Sequence, residues 1–244
     1  AILSKRSGYT VIVTVTEGSP AQKADLGTGD MILTIDGKST LRMGVWEATQ
    51  ALQGRPGTTV RLSVIQRTDS RSRNFELVRR LPVRPPVHTS LLEPGVGLLR
   101  LGGLESGEGE RVRKALDSLR ALGANRLLLD LRANAGPNLE EAVKTASLFL
   151  DGGTVVTIAD RKAGNSDLRA GPSGPLWRGP MVVLVGQGTA GPAEVLAAAL
   201  RDRAGATLVG DRTWGLGSVQ KVIPLPGGDG IRISVGKYVS PGGE

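Results

Sequence analysis

The chain contains no cysteine and a single histidine. Without Cys there are no disulfides, no thiolate nucleophile and no Cys metal site. With His88 alone, neither a His-built metal centre nor a Ser-His-Asp triad is expected, and His88 reads as a surface or linker residue. Aromatic residues are scarce too: three Trp, two Tyr and two Phe, too few for the platforms on which single-stranded nucleic acids stack. No apolar run approaches the roughly 18 residues that a membrane-spanning helix needs. The first residues do not read as a charged n-region followed by an apolar h-region.

What is present is a 244-residue chain, 39% hydrophobic and 22% charged, which is neither membrane-embedded nor disordered in bulk. At roughly 100–200 residues per domain it is one large domain or two small ones. Lys and Arg number 31 against 23 Asp and Glu, a net charge of +8. Apart from Arg71–Arg73 and Arg79–Arg84 the basic residues are scattered, so solvated basic faces explain the excess. No nucleic-acid partner, metal or cofactor is expected.

Residues 1–80 read as a β-rich unit. Tyr9–Thr16 alternates as a strand should, and Ser19 and Pro20 have the types favoured at an N-cap and a first helical position. Met31–Ile35 reads as a strand ending in the hairpin signal Asp36-Gly37. Val45–Leu52 reads as a short helix closed by Gly54, and Thr58–Gln66 and Arg73–Val78 as two more strands. Three prolines within Leu81–Val87 mark a linker, drawn over 81–94.

From residue 95 the period changes. Val96–Leu101 is a strand, and Gly109–Leu122 a helix with Val112, Ala115, Leu116 and Leu119 on one face. Arg126–Leu131 is a continuous apolar strand, the mark of coverage on both faces. Leu139–Leu150 and Ala193–Arg203 read as helices, and Thr154–Ile158, Met181–Val185 and Thr207–Val209 as strands. This alternation predicts an α/β domain over 95–244. The polar, Gly/Pro-rich stretch Asp160–Pro180 is expected to be a long exposed loop.

Two sets of motifs carry a family resemblance. SPAQKADLGTGDMILTIDGKST resembles the signature of a PDZ domain. LLLDLRANAG, VVLVGQGTAGPAEVLAAALRD and VGDRTWGLGSVQKVIPLP are similar, in order, to the core blocks of the C-terminal processing (tail-specific) serine peptidases. The resemblance covers nearly the whole chain. It implies a PDZ-like module beside a crotonase-like or Clp-like α/β core, in a protein of the periplasm or cell envelope, a location the absence of Cys fits. It further implies that relatives carry a carboxylate-binding loop and a helical segment before Ala1-Ile2-Leu3-Ser4, and continue past Tyr238-Val-Ser-Pro-Gly-Gly.

Such peptidases use a Ser nucleophile deprotonated by a neutral Lys, with backbone N–H groups stabilising the oxyanion. Their nucleophile block resembles Gly-Thr-Ala-Ser-Ala-Ser-Glu; here Gly188-Thr189-Ala190-Gly191-Pro192-Ala193-Glu194 puts Gly191 at the Ser position. Their base block resembles Thr-Phe-Gly-Lys-Gly-Ser-Val-Gln; here Leu216 replaces the Lys, and Gln220, the support of that Lys in relatives, remains. The oxyanion turn, Asn-x-Gly-Gly in relatives, reads Asn134-Ala135-Gly136-Pro137. Proline has no N–H, so Pro137 and Pro192 each remove a donor.

Changes at four separate positions argue for natural decay rather than a single knockout. Of the residues that could rescue activity, Ser218 is shared with active relatives, Ser147 lies on a largely apolar helix, Asp202 is expected to pair with Arg201 or Arg203, and Glu194 suits its helix dipole. The reading is a pseudoprotease that retains binding of a peptide, protein C-terminus or extended strand. The groove is expected between the strand holding Ile2 and Leu3 and the helix face of Val45, Thr49 and Leu52. Two other readings stay open: an active peptidase using different residues, and a module holding a small apolar ligand in the vacated cleft.

Overall fold

A computed structural model of the chain describes residues 1–69, 71–81, 84, 86–225 and 230–243. The chain divides into two compact units, one formed by Ala1–Pro85 with Val222–Ile233, the other by Pro86–Lys221 with Ser234–Glu244.

The first unit contains β1 (Ile2–Arg6), β2 (Tyr9–Thr14), α1 (Pro20–Lys23), β3 (Met31–Ile35), β4 (Lys38–Ser39), a 3-10 turn over Thr40–Arg42, α2 (Val45–Leu52), β5 (Thr59–Ile65) and β6 (Ser72–Val78). The strands pair antiparallel in the order β1-β2-β3-β5-β6, with β4 on β3. Their period of two sorts the side chains: Val60, Leu62 and Val64 of β5 turn inward while Arg61 faces water. The inward set joins Leu3, Ile12, Ile32, Ile35 and the fully buried Ala48 of α2 in one core. Each Val, Leu or Ile side chain in this set is worth about 1.5–3 kcal/mol. Asp36 and Gly37 both hold positive φ, 47° and 78°, the two-residue hairpin conformation their sequence predicts. Ser19 caps α1 through its hydroxyl, which accepts from the Gln22 N–H at 3.2 Å.

The end of α2 differs from expectation. Gly54 does not close the helix: Gln53 leaves it in extended backbone, and Arg79 donates to the Leu52 and Ala51 carbonyls at 3.0 Å each. A guanidinium from β6's continuation satisfies the last carbonyls, where a cation also suits the helix dipole.

The second unit is built on β7 (Val87–Glu93), β8 (Val96–Leu101), α3 (Glu108–Ala121), β9 (Arg126–Asp130), α4 (Leu139–Ser147), β10 (Thr154–Asp160), β11 (Gly164–Arg169), β12 (Met181–Val185), α5 (Pro192–Ala204) and β13 (Thr207–Gly210). The hairpin of β14 (Ser218–Pro224) and β15 (Gly230–Val239) follows, with its tip, Val222–Ile233, counted in the first unit. One sheet runs β13-β12-β9-β8-β7; β8, β9, β12 and β13 are parallel and β7 is antiparallel to β8. The other, antiparallel where its registers are described, runs β11-β10-β15-β14. Val112, Ala115, Leu116 and Leu119 of α3 are buried together with Leu127 and Leu129 of β9, as their spacing predicts.

Two sequence expectations need correction here. Residues 87–93, placed in the linker, form the edge strand β7; Pro82, Val83 and Pro85 of that linker lie outside the described residues. The stretch from Asp160 is not one loop, because β11 folds back on β10 with Asp160 opposite Gly164. The turn is held by the Asp160 carboxylate, which accepts from the N–H groups of Lys162 and Ala163. The strand is an exposed edge, so its polar composition reported contact with water rather than irregular backbone.

Candidate functional site

Three turns meet beyond the carboxyl ends of β9 and β12. Leu131, just after β9, donates its N–H to Leu184 O at 2.9 Å and accepts the Thr189 hydroxyl at 2.8 Å. The buried Asn134 accepts the Ala190 N–H on its carbonyl at 3.0 Å and the Gly136 N–H on its side-chain oxygen at 3.2 Å. Thr189 O accepts the Trp214 N–H at 3.0 Å, which brings in the third turn. Gly136 is fixed by close approach: any Cβ there would run into the backbone of Leu104.

The block read as the nucleophile turn starts α5. Gly191 holds φ 59° and ψ −122°, a conformation that suits glycine. Its N–H donates to the Glu194 carboxylate at 2.7 Å. The same carboxylate accepts the N–H groups of Gly215 and Leu216, both at 2.8 Å. Glu194 thus joins the turn to the loop read as the base block, a role that helix-dipole reasoning alone missed. A Cβ on Gly191 would lie 3.6 Å from Leu216 Cδ2. The two positions assigned from the resemblance therefore face each other, one with no side chain and the other with a hydrocarbon.

The positions that the resemblance assigns to oxyanion donors are equally bare. Pro192 opens α5 without an N–H, Pro137 is exposed and also lacks one, and the Gly136 N–H is already used by Asn134. Gln220 is exposed on β14. Ser218 shares a 3.2 Å hydrogen bond with Ser234, and Ser147 is held between Val143 O and the Gly171 N–H. Asp202 takes Arg201 as its ion-pair partner, at 2.6 Å, and also accepts the Gly242 N–H. His88 lies exposed on β7.

Below the turns, Asp130 is buried and accepts two hydrogen bonds from the Arg132 guanidinium, at 3.0 and 2.8 Å, and a third from the Arg132 backbone. Burial pushes its carboxyl up, but these hydrogen bonds and the charges of Arg132 and Arg100 outweigh it and hold the group below the ordinary carboxylate range. Among the described residues no group of three or more His, Cys, Asp or Glu is placed to hold a metal ion.

In the first unit, β1 pairs with β2 on one side and forms an edge of its sheet. Leu3 turns into the core, Ile2 is half-buried, and Val45 and Leu52 pack partly buried against the same core. The Thr49 hydroxyl donates to Val45 O at 2.7 Å. Sequence reasoning missed a cleft of about 580 Å³ at the end of α2, lined by Ala1, Leu52, Leu77, Arg79, Arg80 and Leu81 among others. The alternation of Phe75 and Leu77 on β6 was the available signal.

A small antiparallel sheet with an edge strand beside a helix, and an α/β unit whose turns carry a peptidase's block order, define a PDZ-containing serine-peptidase fold. The chain belongs to the family described as Peptidase family S41, matched over residues 95–244, with a PDZ domain matched over 11–66. It is 37% identical over 227 residues to a carboxyl-terminal-processing protease of Picosynechococcus sp., covering 92% of this chain and 55% of that protein. It is 31% identical to the carboxy-terminal processing protease CtpA of Bacillus subtilis, covering 100% of this chain and 52% of that protein. The solved photosystem II D1 C-terminal processing protease matches with a TM-score of 0.88 at 30% identity, covering 99% of this chain and 67% of that one. The chain spans about half the length of the curated relatives it matches.

Proposed function

We propose that this chain is a catalytically silent member of the C-terminal processing peptidases that keeps a PDZ-type unit for binding an extended peptide or a protein C-terminus. The observation that carries the reading is Leu216 beside Gly191, its Cδ2 3.6 Å from where a Cβ on the glycine would lie, at the positions that the resemblance gives to nucleophile and base. Gly191 has no side chain with which to form an acyl-enzyme, and Leu216 has no group to accept a serine proton. Ser147 is bonded to the Val143 carbonyl and the Gly171 N–H, and Ser218 to Ser234, so none of the hydrogen-bond partners described for these two hydroxyls is an acid or base side chain, which speaks against a rerouted peptidase. Leu216 occupies the space beside Gly191, which speaks against a small ligand between them. The peptide adds as a strand along the outer edge of β1, with α2 beside it. The protein works outside the cytoplasm, in the periplasm or cell envelope, as the resemblance and the absence of Cys suggest. Among the described residues no helix is long and apolar enough to cross a membrane.

The test is a cleavage assay on fluorescein-casein with an intact processing peptidase as positive control. Release at the buffer rate is expected. Turnover by this chain that a serine-reactive inhibitor abolishes overturns the reading. In a parallel titration of extended peptides, Thr49→Trp is expected to abolish binding; equal binding by both forms places the partner site elsewhere.

A further inference from the structure

The positive charge of this chain is concentrated in one part of it. Of the net +8, +6 falls in residues 1–85, which hold thirteen Lys and Arg against seven Asp and Glu. Within that unit the cleft of about 580 Å³ is lined by Ala1, immediately before β1, and by Leu52, where α2 ends. It therefore lies at one end of the β1 and α2 pair. Its walls are apolar, with Ile12, Leu77 and Leu81 among them, and two of its lining residues are Arg79 and Arg80.

The two arginines are placed differently. Arg79 is committed to the fold through the carbonyls of Ala51, Leu52 and Thr59, with Asp36 3.7 Å away. Arg80 is exposed, as is Arg55, the residue after Gly54 of the cleft lining. Among the described residues lining the cleft, Glu17 is the one acidic side chain. An apolar hollow rimmed by cations rejects a basic segment and favours one that alternates apolar and acidic side chains.

Resting on the peptide-binding reading above, we propose that the segment this unit takes is acidic. An apolar side chain fills the cleft, and neighbouring Asp or Glu carboxylates meet Arg80 and Arg55. Exposed ion pairs of this kind strengthen binding by roughly two- to five-fold each, and salt screens them. The charge selects which segment binds and speeds its arrival rather than supplying most of the affinity.

The test uses the whole chain and two fluorescein-labelled decapeptides with the same apolar C-terminal tripeptide. One carries four Asp or Glu in the preceding positions, the other Asn or Gln in their place. Fluorescence anisotropy at 50 mM salt should show the acidic peptide binding about ten-fold tighter, falling to about two-fold at 500 mM. Arg55→Glu with Arg80→Glu should remove the preference, while Arg67→Glu with Arg71→Glu, the same charge change on the β5–β6 connection, should largely keep it. Circular dichroism melts of both variants establish that they fold.

Equal affinity for the two peptides overturns the acidic assignment and leaves peptide binding standing. An equal loss from either variant pair overturns it too, because attraction to the whole unit would then explain the preference. Displacement of the acidic peptide by single-stranded DNA as readily as by unlabelled peptide would make the rim a general polyanion surface, against the proposal. If neither peptide binds at either salt, peptide binding by this unit falls, and this proposal with it.

Discussion

Leu216 stands directly before Gly191: a Cβ on the glycine would lie 3.6 Å from the leucine Cδ2, ordinary van der Waals contact. The resemblance assigns these two positions to a nucleophile and its base, and the pair holds neither group. Geometry alone therefore does not limit a reconstruction; chemistry and backbone conformation do.

Gly191→Ser should give no peptidase activity, because Leu216 offers no base, and should lower stability by about 1–3 kcal/mol, because Gly191 holds φ 59° and ψ −122°. Adding Leu216→Lys should still leave activity far below that of an intact relative. On the proposed reading Pro137 and Pro192 deny the oxyanion its donors, and one lost donor lowers rate about 10²–10³-fold. Casein cleavage and urea unfolding measure the two effects. A double variant as active as an intact relative would make the assignment of the prolines wrong.

Glu194→Ala should unpin the loop that carries Leu216. The carboxylate accepts N–H groups from Gly191, Gly215 and Leu216 at 2.7–2.8 Å, so its loss leaves three amides to find other partners. The expected loss is about 1–3 kcal/mol, the penalty for stranding partly buried donors. Hydrogen exchange should show faster exchange at Gly215 and Leu216 than on β9. Unchanged protection at those amides would remove Glu194 from this role.

The chain should lose stability as pH falls below about 5. In Asp130, Glu141 and Asp202 burial raises the carboxyl pKa, but hydrogen bonds and nearby cations outweigh it and the net shift is downward. The partners include Arg132 for Asp130, the Gly109 N–H and Lys144 for Glu141, and Arg201, the Ser240 side chain and the Gly242 N–H for Asp202. With folded pKa values depressed, the unfolded chain takes up protons first. The stabilisation is complete above the unfolded values near 4 and is lost as pH falls through the folded ones. Asp130→Asn should lower stability at pH 7 and flatten the acid limb. Parallel pH curves for the two chains would contradict this account.

Patterning and turn chemistry made most elements legible. The alternation in Thr59–Ile65, the helical spacing from Val112 to Leu119 and the hairpin at Asp36-Gly37 each state a local preference that the packed chain keeps. The motif blocks likewise located Gly191, Leu216 and Asn134 in one place. What sequence hid was long-range or polar. Arg79 caps a helix that ends 27 residues earlier, and no local rule links it to Leu52. β11 is an exposed edge whose residues look like a loop until β10 pairs with them. Glu194 serves a loop 21 residues downstream, so its own helix explained only its charge.

The dihedral angles at Gly191 also give the present state a direction in sequence space. A first substitution toward a hydroxyl at that site strains the backbone at once, while its benefit waits on a base at 216 and on donors at 137 and 192. On the proposed reading, a serine arriving first at that turn brings the strain without the benefit, so the order of any return matters and Gly191 is the step that comes last.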